Sequence, residues 1–371
     1  MLKIYATTLL TMIAIVSSSA YAQLTNETVT IGAVNRTYKQ YLPTGLDPQN
    51  EQVSLVIILH GLGGTSTDMV GAGFNYIADT ARVIALYPQG KTNSFGQNSW
   101  NNGTGLSSTA DDISFMNSLI DSMIVNYNVN PARVYVTGFS MGSIMSYHLA
   151  CALNMRVAAI GCMSGTMSTS DIQNYTPTYA TPVIHLHGTA DGTVPYNSGA
   201  LPTLSLVPET MAFWQNVHGC DAIADSTRIT DVAADNITID RFRYDNCSPN
   251  GSLELWRLNG ADHVYLYQPI NDITEMMEVW LFLRRWSHPT PAPLAVSTLS
   301  TNQLSVAPNP STGLFQLKSS VSAVFEVQNI EGKTILSGVL NNGETTIDLN
   351  AYPSGVYFLK TATSVSKLVK I

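Results

Sequence analysis

Residues 133–146 constrain the fold of this chain more than any other stretch. They read RVYVTGFSMGSIMS, in which apolar residues alternate before a turn and recur at helical spacing after it. At the turn, Gly138-Phe139-Ser140-Met141-Gly142 places a serine between two glycines. Glycine suits a sharp turn where neighbouring backbone comes so close that a side chain would collide. A strand, a G-x-S-x-G turn and a helix in this order are typical of a nucleophile elbow, which exposes the serine hydroxyl.

The sequence around the elbow alternates strand and helix patterns. Residues 28–31 and 36–41 have the pattern of an opening β-hairpin, and further strands are predicted at 53–59, 83–87, 133–137, 157–163, 183–187 and 253–258. Helical spacing predicts helices at 74–81, from about 112 to 127, at 209–217 and at 273–286. Thr109, with Asp112 three residues later, can cap the second helix, and a role at the helix start is then sufficient to explain the paired Asp111 and Asp112. Strands separated by helices indicate a doubly wound, mostly parallel sheet, and with the elbow they predict an α/β-hydrolase fold.

Two loops supply the other groups that a serine nucleophile needs. A serine hydroxyl requires a histidine to accept its proton and a carboxylate to orient that histidine. In this fold the acid follows the elbow and the histidine comes last. Asp191 follows the strand predicted at 183–187, and His263 follows the strand predicted at 253–258. Because the carboxyl ends of parallel strands meet at one edge of the sheet, we expect Ser140, Asp191 and His263 to form a catalytic triad.

The acid and the histidine also fit ordinary structural roles. Asp262 is the main rival carboxylate, although a side chain seldom points at the ring of the next residue. Asp191 also suits a simple Asp-Gly turn, and His263 suits an ordinary loop. The remaining histidines occupy other strands, helices and loops: His60, His148, His185, His187, His218 and His288.

Two backbone amides are predicted to stabilise the oxyanion. One is the N–H of Met141, the residue after the nucleophile. The other is the N–H of Leu62, in the glycine-rich loop 60–64 that follows the strand at 53–59. A glycine-rich turn without this role is the alternative, and a phosphate-binding loop is disfavoured because no Gly-Lys-Ser/Thr follows.

The composition argues against several function classes. The chain has 371 residues, is 45% hydrophobic and 12% charged, and has a net charge of −8. No cluster of lysine and arginine appears, which argues against nucleic acid and anionic membranes as partners. Since no C-x-x-C or H-E-x-x-H spacing is present, we expect no metal site and no cofactor.

The N-terminus has the features of a signal peptide. Lys3 precedes an apolar run at 9–16, and Ala20-Tyr21-Ala22 fits a cleavage site. We therefore expect residues 1–22 to be removed from an exported protein, and an uncleaved N-terminal helix is the alternative. The apolar run is too short to be a convincing membrane anchor.

The four cysteines matter because export leads to an oxidising environment. Cys220 and Cys247 flank a polar, hairpin-like segment, and we expect them to form a disulfide. Cys151 and Cys162 are expected to remain buried thiols rather than to bond with each other.

The pattern changes after residue 286. Residues 287–302 begin with the proline-rich SHPTPAP and predict a linker between a hydrolase domain at 23–286 and a second domain at 303–371. In the second domain, short alternating segments separated by turns predict a small all-β sandwich.

Five motifs of the first domain, in this order, resemble the secreted polyhydroxybutyrate depolymerase/feruloyl esterase family. They are LHGLGG at 59–64, DDISF at 111–115, NPARVYVTGFSMG at 130–142, HGTAD at 187–191 and DH at 262–263. The resemblance implies hydrolysis of carboxylic esters through an acyl-enzyme on Ser140, and it places Trp100 near the acyl pocket. A half-buried loop aromatic is the alternative for Trp100. The sequence departs from the usual pattern of the family at Met141-Gly142-Ser143, after the serine, and at Val264-Tyr265-Leu266, after the histidine. We therefore expect its substrate pocket to differ from the family's.

The second domain resembles the C-terminal sorting domain of type IX secretion substrates. The resemblance rests on VAPNPSTG at 306–313, NIEGK at 329–333, LNAYPSGVY at 349–357 and the closing KLVKI. It implies a Bacteroidetes-type bacterium, export across the outer membrane to the medium or cell surface, and the secretion machinery as a partner. A carbohydrate-binding sandwich is the alternative, but it lacks an evident aromatic platform.

These features predict a secreted serine esterase. The expected substrates are feruloyl or acetyl esters of plant polysaccharides, or an aliphatic polyester such as polyhydroxybutyrate. A serine peptidase of the same fold and a non-catalytic binding module are the alternatives.

Overall fold

The computed structural model describes residues 23–175, 177–199, 201–289, 291, 305–319, 322–329, 333–341, 343–361 and 365–371. The chain divides into two compact units, one ending at Leu294 and the other beginning at Ala295. The predicted signal peptide and most of the predicted linker lie outside the described residues.

The first unit is built on a ten-stranded sheet. Its strands are β1 (Gln23–Ile31), β2 (Val34–Leu42), β3 (Val53–Leu59), β4 (Val83–Pro88), β7 (Val129–Phe139), β8 (Ala159–Met163), β9 (Val183–Gly188), β10 (Asp225–Arg228), β11 (Thr238–Tyr244) and β12 (Leu253–Asn259). Two short strands, β5 (Lys91–Thr92) and β6 (Asn98–Ser99), pair with each other outside this sheet. The order across the sheet is β1-β2-β4-β3-β7-β8-β9-β12-β11-β10. The six central strands are parallel, while the pairs at both edges are antiparallel. This confirms the predicted mostly parallel α/β sheet.

Helices cover both faces of this sheet. They are α1 (Ser66–Gly71), α2 (Phe74–Ala81), α3 (Asp112–Tyr127), α4 (Met141–Ala152), α5 (Thr169–Asn174), α6 (Val207–His218) and α7 (Glu275–Leu283). Apolar side chains of α3, α4 and α6 pack in one core, and those of α1, α2 and α7 pack in another. Alternate residues of β3 divide between the two cores, with Leu55 and Ile57 in the first and Val56 and Ile58 in the second. Because β3 is buried on both faces, it is a continuous apolar run.

Several predicted boundaries agree with the structure and others do not. The bounds of β3 and α2 are those predicted. The last helix is shorter than predicted, because it begins at Glu275 and ends at Leu283. The short helices α1 and α5 were not predicted. Among the described residues, no helix is long and apolar enough to cross a membrane.

The cap of α3 differs from the prediction. Asp111, not Thr109, accepts a hydrogen bond from the Ser114 N–H at 2.9 Å. Asp112 has a further role, since its fully buried carboxylate lies 2.6 Å from Arg36 Nη2 and accepts from the Asn101 N–H at 2.7 Å. The helix start is therefore also the site of a buried ion pair with β2.

The predicted disulfide is present, and one of the two thiols is less buried than expected. Cys220 and Cys247 form a disulfide, and the segment between them contains the antiparallel hairpin β10–β11. Cys162 is a buried thiol, and Cys151 is a half-buried one. The disulfide closes the hairpin that extends the sheet at its β12 edge.

The second unit consists of antiparallel sheets. Its strands are β13 (Ser305–Ala307), β14 (Leu314–Ser319), β15 (Ala323–Gln328), β16 (Thr334–Leu340), β17 (Gly343–Asp348), β18 (Gly355–Thr361) and β19 (Val365–Lys370). They form a three-stranded sheet, β13-β14-β17, and a four-stranded sheet, β16-β15-β18-β19. Phe315 and Ile347 of one sheet share a core with Phe325 and Leu359 of the other. The predicted small β-sandwich is therefore present.

Candidate active site

Ser140 occupies a strained turn between β7 and α4. Its φ of 56° and ψ of −123° lie in a region that costs a non-glycine residue about 1–3 kcal/mol. The surrounding backbone leaves no room for side chains at the flanking glycines. A Cβ on Gly142 would lie 2.1 Å from the Leu59 carbonyl oxygen, and one on Gly138 would lie 2.5 Å from the Gly142 carbonyl carbon. The two glycines are therefore required by close backbone approach.

Ser140, His263 and Asp191 come together at the carboxyl edge of the parallel strands. The Ser140 hydroxyl lies 2.9 Å from His263 Nε2, and His263 Nδ1 lies 2.7 Å from Asp191 Oδ2. A carboxylate can only accept here, so Nδ1 carries the proton and Nε2 is free to accept from the serine. Phe139 lies against the imidazole, with 4.9 Å between the ring centroids. These three hydrogen-bonded side chains have the geometry by which a histidine activates a serine hydroxyl.

Asp191 is buried and well supplied with hydrogen-bond donors. Its Oδ1 accepts from the Thr193 N–H at 2.8 Å and the Val194 N–H at 2.7 Å, which leaves Oδ2 for His263. Burial alone would raise the pKa of Asp191, but hydrogen bonds from His187, His263 and the Val194 N–H outweigh it and hold the pKa well below its usual value. Asp191 is therefore an anion that faces the imidazole.

Asp262 does not face the His263 ring. Its Oδ1 accepts from the His263 backbone N–H at 2.7 Å and from the Gly192 N–H at 3.0 Å. The rival carboxylate thus joins the two loops that carry Asp191 and His263, without a hydrogen bond to the imidazole.

The loop after β3 lies directly against the serine. A Cβ on Gly61 would lie 3.3 Å from the Ser140 Cβ. Leu62, Met141 and Ser140 line one cleft, so the two residues predicted to supply the oxyanion N–H groups lie beside the space next to the nucleophile.

His60 fixes the orientation of this loop. Its Nε2 accepts from the Gly90 N–H at 2.9 Å, so Nδ1 carries the proton and donates to the Gly61 carbonyl oxygen at 2.8 Å. In a trans peptide the carbonyl and the following N–H point in opposite directions. Holding the Gly61 carbonyl on the His60 side therefore directs the Leu62 N–H to the other side. Burial lowers the pKa of His60, which keeps the ring neutral for this role.

Trp100 does not line the cleft beside Ser140. Its indole is fully buried, and its Nε1–H donates to the His60 carbonyl oxygen at 2.8 Å. The ring also lies against the His60 imidazole, with 4.7 Å between centroids. Instead of contacting an acyl group, as the resemblance suggested, Trp100 supports the loop that carries Leu62.

The cleft beside Ser140 has a volume of about 410 Å³. Most of its lining side chains are apolar, and none of its described lining residues is charged: Leu62, Phe95, Thr104, Gly105, Leu106, Ser140, Met141, Ile144, Thr193, Val194, Leu201, Pro202, Thr203 and Leu204. Ile144, Val194 and Leu204 are buried together and form a local cluster. Such a surface suits an uncharged, largely apolar group.

Two families match separate parts of this chain. Residues 46–207, which include the elbow and Asp191, match the phospholipase/carboxylesterase family. Residues 305–371 match the secretion system C-terminal sorting domain, which indicates export through the type IX secretion system of Bacteroidetes.

Two curated proteins are among the relatives of this chain. One is the bifunctional acetylxylan esterase/xylanase of Neocallimastix patriciarum, 26% identical over 74% of this chain and 36% of its own length. Another is poly(3-hydroxyalkanoate) depolymerase C of Paucimonas lemoignei, 27% identical over 58% of this chain and 56% of its own length. The chain thus spans about a third to a half of the length of these relatives. Among solved structures, the acetyl xylan esterase from Aspergillus awamori matches 70% of this chain and 99% of its own, with a TM-score of 0.50 and 17% identity, which shows a shared fold.

Sequence reasoning missed several residues that hold the candidate site together. It placed His60, His185 and His187 outside the site, although His60 orients the loop that carries Leu62. His185 and His187 are two apart on β9, and such residues share one face of a strand. That spacing, just before Asp191, was the available signal that both rings lie beneath the acid.

Proposed function

We propose that this chain is an exported serine esterase that hydrolyses carboxylic esters through an acyl-enzyme on Ser140. The observation that carries the proposal is the hydrogen-bonded row of Asp191, His263 and Ser140, with distances of 2.7 and 2.9 Å, beside an apolar cleft. The carboxylesterase family match and the sorting domain support it.

In the proposed reaction, His263 Nε2 accepts the proton of Ser140 as Oγ attacks the ester carbonyl carbon. Asp191 stabilises the resulting imidazolium through Nδ1–H. The N–H groups of Leu62 and Met141 donate to the oxyanion of the tetrahedral intermediate. His263 then gives its proton to the leaving alcohol oxygen, and a water molecule, activated in the same way, releases the acid from Ser140.

The proposed substrates are feruloyl or acetyl esters of polysaccharides, or an aliphatic polyester such as polyhydroxybutyrate. The names of the two relatives described above support the acetyl ester and the polyester. We place the acyl group in the cleft beside Ser140, because Leu62 and Met141, the proposed oxyanion residues, line it. An acetyl group would leave most of about 410 Å³ unfilled, so the cleft favours a longer or aromatic acyl group.

The test compares the wild type with Ser140→Ala on p-nitrophenyl acetate. We expect the variant to fold and to lose turnover, whereas unchanged turnover would falsify the proposal. A panel of methyl ferulate, acetylated xylan and polyhydroxybutyrate then ranks the substrates, and a higher kcat/KM for methyl ferulate or polyhydroxybutyrate than for acetylated xylan is the expected result.

A further inference from the structure

Three buried side chains continue the row of hydrogen bonds beneath Asp191. Tyr147, His185 and His187 are fully buried, and none takes part in the proposed reaction. The Tyr147 hydroxyl lies 2.9 Å from His185 Nδ1, and His185 Nε2 lies 3.1 Å from His187 Nδ1. At the end, His187 Nε2 lies 2.8 Å from the Val194 carbonyl oxygen and 3.3 Å from Asp191 Oδ2. We name Tyr147, His185 and His187 the buried histidine chain.

The partners fix where the protons lie. His187 Nε2 faces two acceptors, so it carries a proton. Burial and the neighbouring His187 ring hold the pKa of His185 well below its usual value, so His185 is neutral and has one N–H. If that N–H were on Nδ1, Nε2 would need a donor from His187, which would then be a fully buried imidazolium. The arrangement that buries no such charge has Tyr147 O–H donating to His185 Nδ1, and His185 Nε2–H donating to His187 Nδ1.

This direction ends in a donor aimed at the turn that holds Asp191. His187 Nε2–H points at the Val194 carbonyl, while the Val194 N–H donates to Asp191 Oδ1 at 2.7 Å. His187 therefore restrains Val194, and Val194 in turn holds the Asp191 carboxylate. Its N–H dipole also lies behind Oδ2, the oxygen that faces His263.

The other end of the buried histidine chain is connected to the nucleophile elbow. Tyr147 lies on α4, the helix for which Ser140 is the N-terminal cap residue. His185 and His187 lie on β9, which leads directly into the Asp191 turn. Side-chain hydrogen bonds thus run from the nucleophile's helix, through the buried rings, to the acid.

We propose that the buried histidine chain positions Asp191 against His263, and that His187 is the positioning residue at its end. The inference rests on the proposed function, because it assumes that Asp191 orients the base. His187 acts through Asp191 and does not itself touch the substrate.

The proposal predicts a change in pH dependence when the donor is removed. Asp191 is faced by His187 from β9 and by His263 from the loop after β12, where the exposed Asp262 carboxylate also lies nearby. Without the His187 N–H, more negative charge at Oδ2 remains for His263, and its imidazolium form is stabilised. Because catalysis needs neutral His263, the acid limb of kcat/KM moves to higher pH.

The experiment compares His187→Leu, which removes the donor, with His187→Gln, which keeps a side-chain N–H. In His187→Leu we expect the acid limb to rise by about half a pH unit or more, and kcat to fall about 10- to 100-fold with little change in KM. In His187→Gln the acid limb stays near the wild-type position. An acid limb that does not move in His187→Leu overturns the proposal, as does an equal shift in both variants.

A second measurement determines the tautomers of His185 and His187 in the wild-type protein. In wild-type protein labelled with ¹⁵N-histidine, two-bond nitrogen–proton NMR spectra report which ring nitrogen is protonated. We expect His185 and His187 to be neutral with the proton on Nε2, with His185→Gln and His187→Gln used for assignment. A proton on Nδ1 of either ring contradicts the hydrogen-bond direction assigned to the buried histidine chain. Ser140→Ala separates the two proposals, since ester turnover that survives there contradicts the proposed function and not the tautomers.

Discussion

Asp191 and His263, 72 residues apart in sequence, face each other with 2.7 Å between Oδ2 and Nδ1. Asp262, the immediate neighbour of His263, instead accepts backbone N–H groups. The two carboxylates lie in adjacent loops, but only Asp191 has a hydrogen bond to the imidazole. They therefore provide a matched pair for testing which one supports catalysis.

The substitution Asp191→Asn is expected to reduce kcat about 10⁴-fold, because the amide no longer fixes the imidazole tautomer. Asp262→Asn, which keeps an acceptor oxygen for both backbone N–H groups, should change kcat less than about threefold. Steady-state kinetics on p-nitrophenyl acetate measure both. A larger loss in Asp262→Asn than in Asp191→Asn contradicts this assignment.

Ile144 tests the location of the acyl group. It lies in the first turn of α4 and belongs to the buried cluster in the cleft. Ile144→Phe should fill part of the cleft and reduce kcat/KM for p-nitrophenyl octanoate at least about 10-fold, while acetate changes less than about threefold. Val125→Phe, at an exposed position on α3, is the control for added bulk. Equal losses for the two esters would place the acyl group elsewhere.

Much of this site was predictable because its residues lie at strand ends. The strand β3 is a nearly continuous apolar run, and β9 is a short strand rich in apolar residues; turn residues follow both. The loops that carry Leu62 and Asp191 could therefore be placed from pattern alone. The helices α1 and α5 were missed because each has six residues, few of them buried, and depends on a side-chain cap. The fully exposed β10 has no apolar alternation to reveal it.

Contacts between distant segments could not be predicted from local patterns. Arg36 and Asp112 are 76 residues apart, and each fits an ordinary local role in its own element. The buried histidine chain depends on how two rings turn within the core, which spacing does not specify. Trp100 was misplaced for the same reason, since its motif does not show which side of the loop the indole occupies.

The buried pair of Arg36 and Asp112 is expected to be important for stability. Asp112→Asn leaves the Arg36 guanidinium uncompensated in a fully buried site, which should lower the free energy of unfolding by about 3–5 kcal/mol. Asp225→Asn, which breaks the exposed pair with Arg243, should lower it by less than about 1 kcal/mol. Urea denaturation measures both, and similar values for the two variants would contradict a special role for the buried pair.

The buried carboxyl of Glu275 is expected to make the stability of the protein depend on pH. Burial raises the pKa of its carboxyl to about 8, while Oε1 accepts from the Leu266 N–H at 3.1 Å and Oε2 has no hydrogen-bond partner among the described residues. The folded state therefore holds a proton that the unfolded state loses above its ordinary pKa of about 4.5. The contribution of neutral Glu275 to the free energy of unfolding is therefore complete below pH 4.5, and it is lost progressively as the pH rises to about 8.

Glu275→Gln should remove this dependence, because a neutral amide keeps an acceptor for the Leu266 N–H. The variant and the wild type should have similar Tm values near pH 4.5, and the variant should gain several degrees by pH 8. Thermal unfolding followed by circular dichroism across this range is the measurement. A Tm difference that stays constant with pH would show that Glu275 does not titrate in this window.

The most direct test of the proposed mechanism is the identity of the residue that forms the covalent intermediate. Wild-type protein and Ser140→Ala are treated with a fluorophosphonate ester, and peptides are analysed by mass spectrometry. We predict one stoichiometric phosphonyl adduct on the peptide that contains Ser140, blocked by prior incubation with a slowly hydrolysed ester and absent from the variant. An adduct on another residue, or an unmodified Ser140 in folded protein, would contradict the mechanism.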